Sequence, residues 1–147
     1  ALYATVQIQI LLLLRELQRE MGLSVIFVTH DIGAATEVAD RIAVMYAGRI
    51  VEEGPARTLI REPRHPYTLA LLKSRAHGAL AKGSRLETIG GAPPDLSALP
   101  PGCSFADRCS FAQDACRQTA PEVVQLDAGH RACCLRTEAT AAVHVAV

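Results

Sequence analysis

A histidine and an aspartate that directly follow a short apolar run are the first residues with a capacity for chemistry. The run Ser24–Thr29 (SVIFVT) is dominated by β-branched residues and Phe, and His30 and Asp31 come next. A side chain just past the carboxyl end of a buried strand lies where open α/β sheets bind ligands. An imidazole at this point could hydrogen-bond a phosphoryl oxygen or an attacking water. The alternative is that His30 only caps the following helix, and its position alone does not separate the two.

Five cysteines form the second group, and all of them lie in one segment. They follow the order C-x5-C-x6-C-x16-C-C, as Cys103, Cys109, Cys116, Cys133 and Cys134. An odd, clustered set without a secretory signal favours metal or redox chemistry over a disulfide framework. Structural zinc usually takes closer C-x2–4-C pairs, whereas wide spacing in a loop-rich segment suits a four-cysteine iron–sulfur cluster better. Zinc and free reduced thiols remain as alternatives.

A third group, RHPY at residues 64–67, has a functional and a structural interpretation. It could be a contact surface for a partner protein. It could instead be a rigid turn, because prolines flank Arg64 and His65 and fix the entry to the next helix. We favour the rigid turn. We expect the remaining three histidines to be solvated, namely His77, His130 and His144.

The elements that would position these groups begin with a helix over residues 4–21. Its apolar residues recur at three- and four-residue steps, and we expect this stripe to pack in the core. Apolar runs without polar alternation predict buried strands of a parallel sheet over 24–29 and 41–47. A turn at Gly48-Arg49 leads into a hairpin strand over 50–53. Three further helices are predicted over 32–39, 54–61 and 67–73.

The amino-acid composition of the sequence changes near residue 75. Glycines and proline pairs predict a linker over residues 75–101, a compact cysteine-bearing segment follows over 102–136, and residues 137–147 predict a loose tail. The elements before residue 75 indicate the end of an α/β domain, because two short parallel strands do not form a stable sheet alone. The chain starts with Ala rather than Met, and we expect it to be a piece of a longer chain.

The composition excludes several functional classes. The 147 residues carry fifteen Lys+Arg and fifteen Asp+Glu, so there is no basic excess of the kind that favours nucleic-acid binding. Half of the residues are hydrophobic, which argues against disorder and allows a real core. Unbroken apolar runs such as Ile10–Leu14 are too short to span a membrane. We expect no signal peptide, since its charged, apolar and cleavage regions are missing.

Several blocks of the sequence resemble the closing third of an ABC-transporter ATPase domain. ALYATVQ at residues 1–7 resembles the D-loop and its continuation, ALDVTVQ, and VIFVTHD at 25–31 resembles the H-loop segment. DRIAVMYAGRIVEEG at 40–54 resembles the strand and hairpin that close the nucleotide-binding domain. EPRHPYTLALLKS at 62–74 and GAPPDLSALPPGCSFADRCSFAQDAC at 91–116 resemble the extension of oligopeptide and dipeptide importer ATPases. The chain is similar to the C-terminal portion of the ATP-binding subunit of an oligopeptide, dipeptide or nickel ABC importer.

The resemblance implies an α/β fold class and a division of the chain. Residues 1–54 would be the C-terminal part of an ABC-type P-loop nucleotide-binding domain, with the D-loop, the H-loop and the last strands. Residues 55–136 would be an irregular, cysteine-bearing extension of the oligopeptide/dipeptide-transporter type, and 137–147 a loose tail.

The resemblance also implies roles for individual residues. His30 would contact the γ-phosphate of ATP, bound with Mg²⁺, and the attacking water. Ala1, Leu2 and Tyr3 would lie at the D-loop, where Tyr3 replaces the family's Asp, so the ATP site could be active or degenerate. The extension of some family members holds a 4Fe–4S cluster. The ligands implied here are Cys103, Cys109, Cys116 and Cys133, since Cys133 lies in a segment like RVACH, with Cys134, often His in the family, as the other possible ligand.

The family's Walker A loop, LSGGQ signature and Walker B strand are absent from these residues, so we expect this chain alone to hydrolyse no ATP. The intact subunit would pair head to tail with a homologous ATPase subunit. It would drive inner-membrane permease subunits supplied indirectly by an external binding protein. It would lie at the cytoplasmic face of the bacterial inner membrane and would bind no nucleic acid. The alternative function is a non-enzymatic metal-binding or interaction module left from a truncated ATPase gene.

Overall fold

The computed structural model describes residues 2–76, 88–141 and 143. Ala1, His77 and His144, and the middle of the predicted linker, lie outside the described residues. The helices are α1 (Leu2–Met21), α2 (Ile32–Val38), α3 (Ala56–Arg61), α4 (Pro66–Ala76), a 3-10 turn (Ala106–Arg108), α5 (Asp114–Gln118) and α6 (Thr137–Ala141). The strands are β1 (Arg41–Tyr46), β2 (Arg49–Pro55), β3 (Val124–Asp127) and β4 (His130–Ala132).

Helix α1 matches the helix predicted over residues 4–21, but its apolar stripe faces outward. Ile10 and Leu13 are exposed, whereas Leu11 is buried. The helix packs mainly against α2, where the Arg15 guanidinium donates a hydrogen bond to the carbonyl oxygen of Glu37 at 2.9 Å. The expectation of a core stripe is therefore wrong for the described part of the chain, since the stripe has no sheet packed on it there.

The segment 24–29, predicted as a buried strand, is not a strand. It runs without regular structure between α1 and α2, and its side chains Ile26 and Val28 are 94% and 89% exposed. A strand persists only where a neighbour satisfies its backbone N–H and C=O groups, and none of the described strands lies beside this segment.

The next two strands form the predicted hairpin, and their pairing is antiparallel. Along β1, buried Ile42, Val44 and Tyr46 alternate with exposed residues, so one face of the strand is open rather than both being covered. The connecting residues Ala47 and Gly48 have φ values of 49° and 75°. These positive angles match the right-handed twist of a tight hairpin, which places the turn one residue earlier than predicted.

All four strands belong to one antiparallel sheet with the order β1-β2-β4-β3. The cysteine-bearing segment supplies β3 and β4, and β4 pairs with β2 through Glu52 opposite Ala132 and Glu53 opposite Arg131. The backbone N–H of Cys133 continues this pairing with a 2.8 Å hydrogen bond to the Val51 carbonyl. The mixed helices and strands are consistent with the end of an α/β domain, but the expected parallel pairing is wrong for the described sheet.

The core joins the hairpin to the later segments through aromatic rings. Phe105, from the cysteine-bearing segment, packs against Tyr46 and Tyr67, with ring centroids 5.1 and 5.3 Å away. Tyr46 and Tyr67 are themselves 4.7 Å apart. Leu59 of α3 is fully buried in the same region. Burial of these rings attaches the cysteine-bearing segment to the sheet independently of strand pairing.

The first residues of the predicted tail are helical. Residues 137–141 form α6, and Thr140 is buried there, with its hydroxyl donating to the Thr137 carbonyl. The sequence predicts a loose tail from residue 137 onward, and the structure places a helix over its first five residues. None of the helices in the described ranges is long and apolar enough to cross a membrane.

Candidate functional site

His30 lies at a bend between the irregular segment and α2, and its side chain is exposed. The backbone on either side of it is fixed by side-chain hydrogen bonds. The N–H of Asp31 donates to the Thr29 hydroxyl at 3.0 Å, and the Asp31 carboxylate accepts the N–H groups of Gly33 and Ala34 at 2.8 and 3.2 Å. Asp31 therefore caps α2, and the imidazole of His30 remains available to a ligand.

The predicted D-loop residues lie at the start of the first helix. Leu2 and Tyr3 form the first turn of α1, and Ala1 lies outside the described residues. Their role at the D-loop, like the catalytic role of His30, stays a prediction.

Four of the five cysteines line one small cavity. They are Cys103, Cys109, Cys116 and Cys134, and His65 and Phe105 lie in the same wall. The N–H of Cys103 donates to the carbonyl of Cys116 in α5 at 2.8 Å, which ties these two parts of the segment together. All five cysteines fall in the described ranges and are free thiols. Cys133 is half-buried at the end of β4 and is not one of the residues that line this cavity.

Backbone N–H groups two positions further on act to lower the pKa of three of the four cysteines in the cavity wall. The N–H of Arg136 donates to Cys134 Sγ at 3.3 Å. The backbone N–H groups of Phe105 and Phe111 act to lower the pKa of Cys103 and Cys109. An N–H group aimed at sulfur favours the charged thiolate.

Burial acts against these hydrogen bonds and is the stronger effect. It raises the pKa of the Cys103 and Cys109 thiols, and it raises the pKa of Cys134 to about 12. Neighbouring cysteines raise these pKa values further, with Cys133 among those acting on Cys103. The three thiols are thus protonated at neutral pH, and ligation of a metal would release their protons.

The donor set fits a thiolate-held inorganic group, although the thiols do not already surround a single ion. Within residues 2–76, 88–141 and 143, no group of three His, Cys, Asp or Glu side chains is arranged to hold one metal ion. The cavity leaves only about 10 Å³ open, so a bound group requires the cysteine loops to spread. Four soft thiols in one cavity wall are the donor type that iron–sulfur groups take.

A buried carboxylate lies next to this cavity and was missed by the sequence analysis. Glu52 of β2 is 1% exposed and accepts three hydrogen bonds. Its two oxygens accept the backbone N–H groups of Arg64 and His65 at 2.7 and 2.9 Å, and its Oε1 lies 2.8 Å from Nε2 of His130. The carboxylate thus joins β2, the RHPY turn and β4 in one network. No local pattern marks it, because Glu52 and His130 are 78 residues apart.

His130 itself corrects an expectation. It was predicted to be solvated, but it is only 2% exposed, since it lies in the first position of β4 against Glu52. The ring also packs over Gly54, where an added Cβ would meet His130 Cδ2 at 2.9 Å. A glycine at this position lets the imidazole approach the sheet closely enough to reach the carboxylate.

His65 has one nitrogen engaged and one free. Its Nδ1 accepts the backbone N–H of Tyr67 at 3.1 Å, and its Nε2 is buried with no hydrogen-bond partner. Burial lowers the pKa of His65 to about 4, and the nearby Glu52 carboxylate opposes that shift only weakly. The ring is therefore neutral at physiological pH. The backbone of the RHPY turn is fixed by Glu52, as a rigid turn requires.

Comparison with known proteins agrees with the resemblance found in the sequence. Residues 51–116 match the family model described as the oligopeptide/dipeptide transporter, C-terminal region. A peptide import ATP-binding protein of Brucella ovis is 46% identical over 147 residues, which is 97% of this chain and 44% of that protein. The oligopeptide transport ATP-binding protein OppD of Mycobacterium tuberculosis is 47% identical over 138 residues, 94% of this chain and 22% of that protein.

A third relative gives the same result. The dipeptide transport ATP-binding protein DppD of Haemophilus influenzae is 49% identical over 123 residues, 84% of this chain and 37% of that protein. The chain thus spans less than half the length of the curated relatives it matches. The similarity to the C-terminal portion of such proteins, expected from the quoted motifs, is confirmed.

Proposed function

We propose that this chain is the C-terminal part of an ATP-binding subunit of a peptide ABC importer. The premise is that it is similar over most of its length to the C-terminal part of such subunits. The observation that carries the proposal is the match of residues 51–116 to the oligopeptide/dipeptide transporter region, together with relatives that cover 84–97% of the chain. The intact subunit would bind ATP and Mg²⁺ and couple hydrolysis to peptide import. The gene must then encode a GxxxxGKS/T loop in frame upstream of Ala1, and its absence would refute the proposal.

In this subunit His30 would contact the γ-phosphate and the attacking water. Its exposure, and the fixed backbone on both sides of it, support that role. Phosphoryl transfer depends mostly on positioning and electrostatics, so loss of one well-placed hydrogen-bonding group lowers kcat by about 100-fold. We expect His30→Ala in the full-length protein to lose ATPase activity to this extent and to keep nucleotide binding. Glu16→Gln, on the exposed face of α1, is the matched control and should leave both unchanged.

The same subunit would pair head to tail with a homologous ATPase subunit and would bind inner-membrane permease subunits at the cytoplasmic face. Ala1, Leu2 and Tyr3 would lie at the dimer seam. Tyr3→Asp restores the residue found in the family, and it tests whether this site is degenerate. An increase in ATPase activity of the assembled transporter would support degeneracy, whereas unchanged activity would indicate that Tyr3 is tolerated at an active site.

The cysteine-bearing cavity would hold a 4Fe–4S cluster with Cys103, Cys109, Cys116 and Cys134 as its ligands. Convergence of these four thiols on one cavity supports the assignment, as does the N–H bond to Cys134 Sγ. Cys133 remains the ligand implied by the sequence motif, so the two adjacent residues must be separated by experiment. About four irons and four sulfides per chain, in protein purified without oxygen, are expected.

Single substitutions decide between the two adjacent cysteines. Cys134→Ser should lose the iron and the absorption near 400 nm, while Cys133→Ser should keep both. The opposite result would assign the cluster to Cys133. Fresh, folded protein that contains neither iron nor sulfide would refute the cluster, and tightly bound zinc in its place would identify the alternative metal.

A further inference from the structure

The imidazole of His65 is a polar group in the cysteine cavity that the proposed cluster does not use. It is only 1% exposed and lies in the same wall as Cys103, Cys109, Cys116 and Cys134. Its position is set from two directions. The N–H of His65 donates to the Glu52 carboxylate at 2.9 Å, and the ring packs with its centroid 5.9 Å from that of Phe105. The ring therefore has little freedom to turn away from the cavity.

The hydrogen bonds of His65 decide which of its nitrogens carries the proton. Nδ1 accepts the N–H of Tyr67, so Nδ1 holds a lone pair and no proton. A neutral imidazole then has its single proton on Nε2. Nε2 is thus a hydrogen-bond donor, and it is buried without a partner. An unsatisfied buried donor is a substantial energetic penalty for a fold to retain.

The same assignment excludes His65 as a metal ligand. Ligation through Nε2 needs a lone pair on that nitrogen, and the proton would have to move to Nδ1. Nδ1 faces the N–H of Tyr67, so a proton there would place two donors against each other. The group that suits Nε2 is instead an acceptor of negative charge inside the cavity, such as a thiolate or a sulfide.

We infer that His65 donates a hydrogen bond from Nε2 to a sulfur of the thiolate-held iron–sulfur group in this cavity, as a positioning and tuning residue rather than a ligand. This inference rests on the proposed cluster. Hydrogen bonds to the sulfurs of a cluster stabilise its more negative, reduced form and so raise its reduction potential. The imidazole would also fix one side of the cavity, since its backbone and ring are both anchored.

Two substitutions of His65 separate donation from shape. His65→Asn keeps an oxygen near the position of Nδ1, where it can still accept from Tyr67, and removes the donor at Nε2. His65→Gln extends an amide N–H toward the position of Nε2 and restores a donor. Both are made in the full-length protein purified without oxygen. Iron, sulfide and the midpoint potential of a one-electron reduction by dithionite are then measured.

We expect His65→Asn to retain iron and sulfide but to be harder to reduce. At a fixed potential the ratio of reduced to oxidised cluster should fall about tenfold, which corresponds to a shift of about 59 mV toward negative values. His65→Gln should lie close to the unsubstituted protein. The ¹⁵N spectrum of the unsubstituted protein should place the imidazole proton on Nε2.

Other outcomes overturn the inference in distinguishable ways. Full iron content with an unchanged potential in His65→Asn would refute hydrogen-bond donation and leave the cluster standing. Loss of iron in both variants would show that His65 holds the group in another way. An unsubstituted protein without iron and sulfide would refute the proposed cluster, and this inference would fall with it.

Discussion

Replacement of Glu52 by Gln tests whether one buried carboxylate holds the cysteine-bearing segment on the hairpin. Oε1 of Glu52 accepts from the Arg64 N–H and lies against Nε2 of His130, and Oε2 accepts from the His65 N–H. All three partners are donors, so only a group with two acceptor oxygens satisfies them. The glutamine amide keeps the size of the side chain but replaces one oxygen with a donor.

The cost of this substitution follows from the three contacts. If the glutamine oxygen takes the position of Oε1, the buried N–H of His65 loses its acceptor and faces the NH₂ group instead. This loss costs about 1–3 kcal/mol. The other two hydrogen bonds lose the charge of their acceptor, which is worth about 0.5–1 kcal/mol each. The sum is about 3 kcal/mol, and it falls on the contact between β2 and β4.

Amide hydrogen exchange in the full-length protein measures this local loss. The Cys133 N–H, bound to the Val51 carbonyl, reports the opening of β4 from β2. Glu52→Gln should speed its exchange by about 150-fold, as expected for about 3 kcal/mol. Glu53→Gln is the matched control on the same strand, and as a partly exposed partner of Arg131 it should speed exchange less than about fivefold. Equal effects of the two variants would refute the role assigned to Glu52.

Two further substitutions test the cavity and the edge of the sheet. Gly102→Ala would place a Cβ 2.5 Å from the backbone carbonyl carbon of Arg117, so α5 must move. We therefore expect the iron content to fall at least about twofold and the free energy of unfolding to fall by about 1–3 kcal/mol. Gly90→Ala, which meets nothing within 4 Å, should change neither quantity, and equal losses would contradict the packing argument. A hydrogen bond from Arg131 lowers the pKa of Glu53, so this carboxylate stabilises the fold above its unfolded pKa and stops doing so as the pH falls below about 4.5. Acid titration of stability should therefore show a small loss, at most about 1 kcal/mol, that is missing in Glu53→Gln; an identical acid profile would show that the pair contributes nothing.

Local features of the sequence were sufficient for much of the organisation. The periodicity over residues 4–21 predicted α1, and the turn residues near Gly48 predicted the hairpin, because both depend on neighbours within a few positions. The motif blocks identified the related importer subunits, which the comparisons confirmed. The clustered cysteines were recognised as one group for the same reason, since they lie close together in the chain.

These local patterns do not predict contacts between distant parts of the chain. The apolar run at 24–29 resembles a buried strand, yet no described strand supplies its hydrogen bonds, and pairing is a property of two segments rather than of one. The sequence predicts a solvated His130, but the pairing of β4 with β2 places its side chain against Glu52. A polar side chain is stably buried only where the folded chain provides a hydrogen-bonding partner for it.

The sequence by itself thus determined the family resemblance, the helices, the hairpin and the set of cysteines. Only the tertiary structure decided that Cys134 rather than Cys133 lines the cavity with Cys103. It also decided that His65 lines the same cavity and that its buried Nε2 has no hydrogen-bond partner. The direction of a side chain at the end of a short strand, and the partner of a buried nitrogen, both follow from packing between segments tens of residues apart, which no local spacing encodes.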